Sequence, residues 1–263
     1  MSGKRVDIEI SDGVAEVTMT RAEKHNGLDY AMFEALGEAI DQIAADRSVR
    51  TVVLGGAGPS FCAGLDFAAF IAEGRPIEEM FARREGEPAN FAQRAAAGWG
   101  LMPQPVIAAI SGNCLGGGCQ IALGADLRIA GSDLRMSVLE IKWGLIPDMG
   151  ITRALPRLVG VDVAKLLTWT GRTLPADEAL HYGLVTEIAD DPRARARELA
   201  AEIATKSPDA IRRAKRLYDE AWTTDATTSL ALEEELQREL LNSPNQIEAV
   251  RAALSGEAGA FED

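Results

Sequence analysis

Glu140 and Asp148 stand eight residues apart in LEIKWGLIPDMG (139–150), on either side of a turn that contains glycine and proline. Two carboxylates so placed can face one cavity. Apolar walls that desolvate them would push both pKa values toward working pH, as proton transfer requires. Plainer readings stand beside this one: Pro-Asp ahead of a helical stretch is also a helix cap, and Glu140 could be a solvated glutamate at a strand end.

Two loops offer backbone donors. SFCAGLDF (60–67) joins an apolar strand to a helix beginning near Asp66, and the N–H of Leu65 would project from it, free of an intrahelical partner and favoured by the helix dipole toward negative charge. Within CLGGGCQ (114–120), the glycines let a backbone come very close to a ligand ahead of a helix that begins near Cys119. Two such N–H groups converging on one point would make an oxyanion hole, which stabilises negative charge developing on a carbonyl oxygen. Gly64 could instead serve only a tight turn, Asp66 only a cap, and the glycine run only a close helix-to-strand contact. Gln120, the next polar side chain, can orient a partner through its amide but cannot exchange a proton in the working pH range.

The elements that must position these residues read as an α/β pattern. VDIEI and VAEVTMT, joined by SDG, form a hairpin of alternating strands. Tyr30 to Asp46 is an amphipathic helix, TVVL (51–54), PVIAAI (105–110) and LRIA (127–130) are buried strands, and from Thr152 onward the spacing is mostly helical. The expected organisation is a core over 1–195 that carries the site and a helical region over 196–263 packed on that core or on a neighbouring subunit. The charged segment EGRPIEEMFARREGEP is a candidate flap over a site.

Composition narrows the chemistry. With 27 Lys+Arg against 40 Asp+Glu, the formal charge of -13 argues against non-specific binding to nucleic acid or anionic membrane, so a phosphate-bearing ligand must be met by local cations. There is no apolar leader in MSGKRVDIEI and no membrane-length apolar run, which gives the expectation of a cytoplasmic protein. Cys62, Cys114 and Cys119 form no CxxC and read as reduced packing residues, and with only His25 and His181 a HExxH zinc site is excluded. GxSxG, GxGxxG after a strand and GxxxxGK[ST] are absent, so acid/base chemistry would fall to carboxylates.

Taken in order, SFCAGLDF, PVIAAISGNCLGGGCQIALGADLRIA and GLIPDMG resemble the enoyl-CoA hydratase/isomerase, or crotonase, superfamily from about Val6 to Val185, with AGAFED similar to the family's closing segment. The resemblance implies an α/β crotonase fold, a superhelix of stacked β-β-α units that assembles as a trimer or dimer of trimers and binds acyl-CoA thioesters, with coenzyme A as part of the substrate and no further cofactor. It implies that the N–H groups of Leu65 and Gly117 hold the thioester oxygen, with Ala63, Gly64, Asp66 and Gly116 around the substrate. RAEKHNGL (21–28) is similar to the family's CoA-contacting loop, which makes Arg21 and Lys24 candidate partners for the phosphates. Gln120 stands where hydratases place one of two catalytic glutamates, and Glu140 matches the other. Asp148 stands where hydratases usually carry glycine, and the Glu140–Asp148 pair resembles the proton-shuttling pair of dienoyl-CoA isomerases, although those place an aspartate at position 120. The expectation is double-bond isomerisation, with hydration or non-catalytic acyl-CoA binding as alternatives.

Overall fold

A computed structural model describes residues 3–263. The chain opens on a hairpin, β1 (Val6–Ser11) and β2 (Val14–Met19), whose two-residue turn puts both Asp12 and Gly13 at positive φ (51° and 76°), the geometry that matches strand twist in a tight hairpin. Asp29 then caps α1 (Tyr30–Ala45) by accepting from Met32 N–H, and the helix turns Met32, Phe33, Leu36, Ile40 and Ile43 inward. Next come β3 (Thr51–Gly56), α2 (Phe67–Glu73), α3 (Phe91–Leu101), β4 (Val106–Ile110), β5 (Asn113–Leu115) and α4 (Gly117–Gly124). The order continues with β6 (Leu127–Ala130), β7 (Arg135–Ser137), α5 (Ile151–Leu158), α6 (Val161–Thr170), α7 (Ala176–His181), β8 (Glu187–Ile188), α8 (Pro192–Ala204), α9 (Pro208–Ala221), α10 (Ala226–Leu240) and α11 (Pro244–Ser255).

One sheet runs β1-β2-β3-β4-β6-β8, antiparallel at the hairpin and parallel thereafter, and β5 pairs with β7 in a second, two-stranded parallel sheet. β4 is buried throughout, as parallel strands covered on both faces must be. Val52, Leu54, Val106, Ala108 and Ile110 face the main core with α1 and α3, whereas Val53, Ile107, Ala109 and Ile129 face the other way, onto Ala196 and Ala200 of α8. Those two alanines let the helix approach closely. They also pack α8 on the sheet, so position 195/196 lies inside a helix, and Lys215 of α9 is bonded in turn to Trp99 O, Gln104 O and Asp126.

The central glycine-rich helix starts earlier than its sequence suggests, at Gly117 and not near Cys119. The charged segment 73–88 is mostly exposed, with a short 3-10 helix at Ile77–Phe81 that buries Met80. All three cysteines are free and buried.

Candidate active site

The first donor loop is held onto β5. Cys62 N–H donates to Asn113 O, Leu115 N–H donates to Cys62 O, and Ala63 N–H donates to His25 O. Gly64 follows at φ +85°, and its carbonyl accepts from Leu28 N–H while Asp66 N–H donates to Leu28 O. The N–H of Leu65, between these two bonds, has no backbone acceptor among the described residues. Its side chain packs on the core, so the backbone is held while the donor is left open.

The second loop meets the first at glycines. A Cβ on Gly118 would lie 2.3 Å from Cys62 O, and one on Gly64 would lie 2.7 Å from Leu115 O, distances that no side chain tolerates. Gly116, at φ +52°, turns the chain into α4 with its own N–H donated to Ser137 O, and the N–H of Gly117 opens the helix without a backbone acceptor. Two unspent donors, those of Leu65 and Gly117, therefore stand on loops in van der Waals contact. The second also lies at the positive end of a helix dipole.

One turn along α4, Gln120 is buried and bridges two elements. Its Nε2 donates to Glu140 Oε1 at 2.7 Å, and its Oε1 accepts from Met149 N–H at 2.8 Å. Glu140 is neither solvated nor at a strand end: it begins a short 3-10 helix, Glu140–Trp143, just after β7, and is 9% exposed. Its Oε2 is buried with no hydrogen-bond partner. Burial raises the Glu140 pKa; its own N–H and the Gln120 amide act against that rise, and the charge of Asp148 adds to it.

Asp148, on the segment between the 3-10 turn and α5, is open to solvent yet hemmed by enough protein that desolvation raises its carboxyl as well. It does not cap α5. That helix is capped by Gly150 at φ +95°, with no side-chain hydrogen bond to its first turn. Glu140 and Asp148 thus both have raised pKa values, the charge of Asp148 acts on Glu140, and a Cβ on Gly116 would lie 3.5 Å from Glu140 Oε1, which sets Glu140 beside the turn that carries the Gly117 donor.

Two expected ligand contacts are otherwise engaged. Arg21 is 8% exposed, donates to Gly27 O and Asp66 (both 2.9 Å), and lies 3.5 Å from Asp29, so its guanidinium braces the loop from within and is not free for a phosphate. Asp66 caps α2 through Ala69 N–H. Although burial works against it, that bond and Arg21 hold the Asp66 carboxyl below its ordinary value, which leaves it a structural anion. Lys24 is exposed and stays available.

The structure adds residues that sequence reading passed over. Asn26, fully buried at φ +54°, accepts from Arg21 N–H and donates to Ala57 O and Ser60 O, tying the 21–28 loop to the first donor loop. The Asn-Gly pair at 26–27 was the available signal for that turn. Phe67 and Trp143 meet with ring centroids 4.6 Å apart, joining the start of α2 to the 3-10 turn of Glu140, and Ile141, Leu145 and Ile146 are exposed close by in the sequence. A cavity of about 340 Å³ at the far end of α4, lined by the Lys215–Asp126 pair, Arg128 and Arg153, includes none of the donors or carboxyls.

Known proteins are similar to this chain over nearly its whole length. Residues 9–255 match the family described as Enoyl-CoA hydratase/isomerase. A short-chain-enoyl-CoA hydratase of Clostridium acetobutylicum is 35% identical over 255 residues, 96% of this chain and 95% of that protein. The mitochondrial methylglutaconyl-CoA hydratase of Mus musculus is 30% identical over 251 residues, 93% of this chain and 78% of that protein. The crystal structure of an enoyl-CoA hydratase from Bacillus anthracis superposes with a TM-score of 0.89 at 30% identity, covering 98% of both chains.

Proposed function

This chain belongs to the enoyl-CoA hydratase/isomerase family, and from that premise we propose that it moves a carbon–carbon double bond within an acyl-CoA thioester by a carboxyl-to-carboxyl proton shuttle. The observation that carries this reading is the pairing at the site. Position 120 holds a neutral amide that cannot transfer a proton, while Glu140 and Asp148 both have raised pKa values.

The thioester oxygen accepts from the N–H groups of Leu65 and Gly117. Glu140 is the more deeply buried of the two carboxyls and Asp148 the more exposed, and since burial disfavours the charged form most where it is deepest, this reading makes Asp148 the base and Glu140 the acid. Asp148 takes a proton from one carbon of the acyl chain, and the electron pair left behind delocalises onto the thioester oxygen as an enolate. Glu140 then protonates another carbon as the enolate collapses and the double bond re-forms at its new place. Water is neither added nor lost. Lys24 is the cation this reading offers to the CoA phosphates, and the exposed apolar residues of α10 and α11, such as Leu230, Ile247 and Leu254, support association of copies as trimers or dimers of trimers.

Hydration is the second reading, supported by the names of the relatives, with Glu140 activating water and Gln120 as its support. Ultraviolet absorbance on mixing with a 2-enoyl-CoA, a 3-enoyl-CoA and a 3,5-dienoyl-CoA separates the cases. Conjugation gained or moved supports the isomerase. Conjugation lost from the 2-enoyl ester, with a product heavier by one water, replaces it with hydration, and no change with all three leaves acyl-CoA binding alone.

A further inference from the structure

Gln120 occupies a position where neither of its hydrogen bonds can be reversed. Met149 N–H can only donate, so the carbonyl oxygen of the Gln120 amide must face it, and the amide NH2 is turned toward Glu140. That NH2 can only donate, so Oε1 of Glu140 must accept whether the carboxyl is ionised or protonated. A proton on Oε1 would make that oxygen the poorer acceptor for the NH2 and, if turned toward it, would set two donors head to head. The acidic proton is therefore left to Oε2, the oxygen that the protein supplies with no partner.

We infer that Gln120 is a positioning residue: it reserves Oε1 of Glu140, confines the exchangeable proton to Oε2, and ties that carboxyl to the backbone beside Asp148. The inference rests on the reading that Glu140 is a proton carrier, and it goes further by naming the atom and the device that selects it. The same amide joins three parts that must keep register: α4, which carries the Gly117 donor; the 3-10 turn, which carries Glu140; and the Asp148–Met149 segment. A neutral amide does this without a second titrating group. A carboxylate at position 120 could still accept from Met149 N–H, but its other oxygen would meet Oε1 acceptor to acceptor. The two would then have to share a proton, drawing it away from Oε2.

The test follows the Glu140 carboxyl directly, by isotope-edited infrared titration of the protein labelled at glutamate, with the Glu140 band identified by its loss in Glu140→Gln. The amide hydrogen bond favours the ionised form, so Gln120→Met, which keeps the side-chain length and removes donor and acceptor, should move the Glu140 titration to higher pH. Gln120→Glu should replace one step by two coupled steps. On the substrate that the absorbance panel turns over, Gln120→Met should lower kcat by about a hundredfold with KM near the parent value, as expected for a misplaced reacting group. A Glu140 band that titrates identically in the parent and in Gln120→Met overturns the inference. Should that variant fail to fold, a single unshifted step in Gln120→Glu overturns it equally. Failure of the underlying reading looks different: Glu140→Gln would then turn over like the parent, whatever Gln120 does to the titration.

Discussion

A Cβ placed on Gly64 would lie 3.5 Å from the backbone nitrogen of Gly117, so the loop that carries the Leu65 donor and the helix that carries the Gly117 donor touch through their main chains. No side chain separates them. The pair of N–H groups is thereby a property of backbone packing, and side-chain changes at Leu65 should matter little while loss of its N–H should matter greatly.

Leu65→Ala should keep most activity. Leu65→Pro deletes the donor and should lower kcat by the hundred- to thousandfold typical of one lost oxyanion contact. Steady-state kinetics beside circular dichroism checks this, and a folded proline variant with parental turnover would falsify the assignment.

Glu140 makes activity and stability oppose each other. Its folded pKa lies above its unfolded value, so as pH rises from the unfolded value (about 4.3 for a free glutamate) through the folded one, the native state holds a proton that the unfolded state has released, and stability falls. Above the folded pKa the whole cost remains. Glu140→Gln should thus be more stable than the parent near neutral pH, lose that advantage below the unfolded pKa, and be slower by roughly a hundred- to ten-thousandfold. Urea denaturation at neutral and acid pH gives the sign; a less stable Glu140→Gln at neutral pH contradicts the desolvated carboxyl.

For Asp148 the prediction turns on what it does not do. Since Gly150 caps α5, Asp148→Asn loses no cap, and since desolvation raises the Asp148 carboxyl, its melting temperature at neutral pH should be equal to or above that of the parent while turnover falls by a similar hundredfold or more. Parental turnover in that variant, with a substrate in hand, would remove Asp148 from the shuttle and leave Glu140 alone.

The two cations of the 21–28 loop should separate cleanly. Arg21→Met removes the cation from the half-buried Asp66 and the donor from Gly27 O, while Asp29 keeps Arg5, and should cost about 1–3 kcal/mol of stability in chemical denaturation. Lys24→Ala should leave stability unchanged and raise KM for the CoA ester in a salt-dependent way. A raised KM in Arg21→Met with unchanged stability would reverse the two roles.

Most of the α/β pattern was legible because its strands and helices are long enough to show a period. The hairpin, α1, β3, β4 and β6 all announce themselves in this way. β5, β7 and β8, of two or three residues each, carry no period to read, and the second sheet went unseen with them. The start of α4 was placed late because glycine has the second-lowest helix propensity and Gly117 and Gly118 are there for close approach, which propensity does not register. The types of Gln120, Glu140 and Asp148 were visible in the chain. Their geometry was not: the amide bridge joins residues twenty and twenty-nine positions apart, and only packing reveals that Arg21 and Asp66 satisfy each other.

The glycine contacts also divide the molecule by how freely it can be altered. Gly64, Gly118 and Gly124 each lie within 2.7 Å of a carbonyl oxygen if given a Cβ, so the ground on which the donors stand admits almost no substitution. Ile71, Ile77, Phe81 and Ile146, on α2, the charged segment and the stretch between the 3-10 turn and α5, are all more than half exposed. Change can accumulate at these surface positions one residue at a time, while the glycine-packed half is inherited intact. A mutant library confined to them should consist mostly of folded protein, whereas one directed at the glycines would chiefly yield unfolded protein.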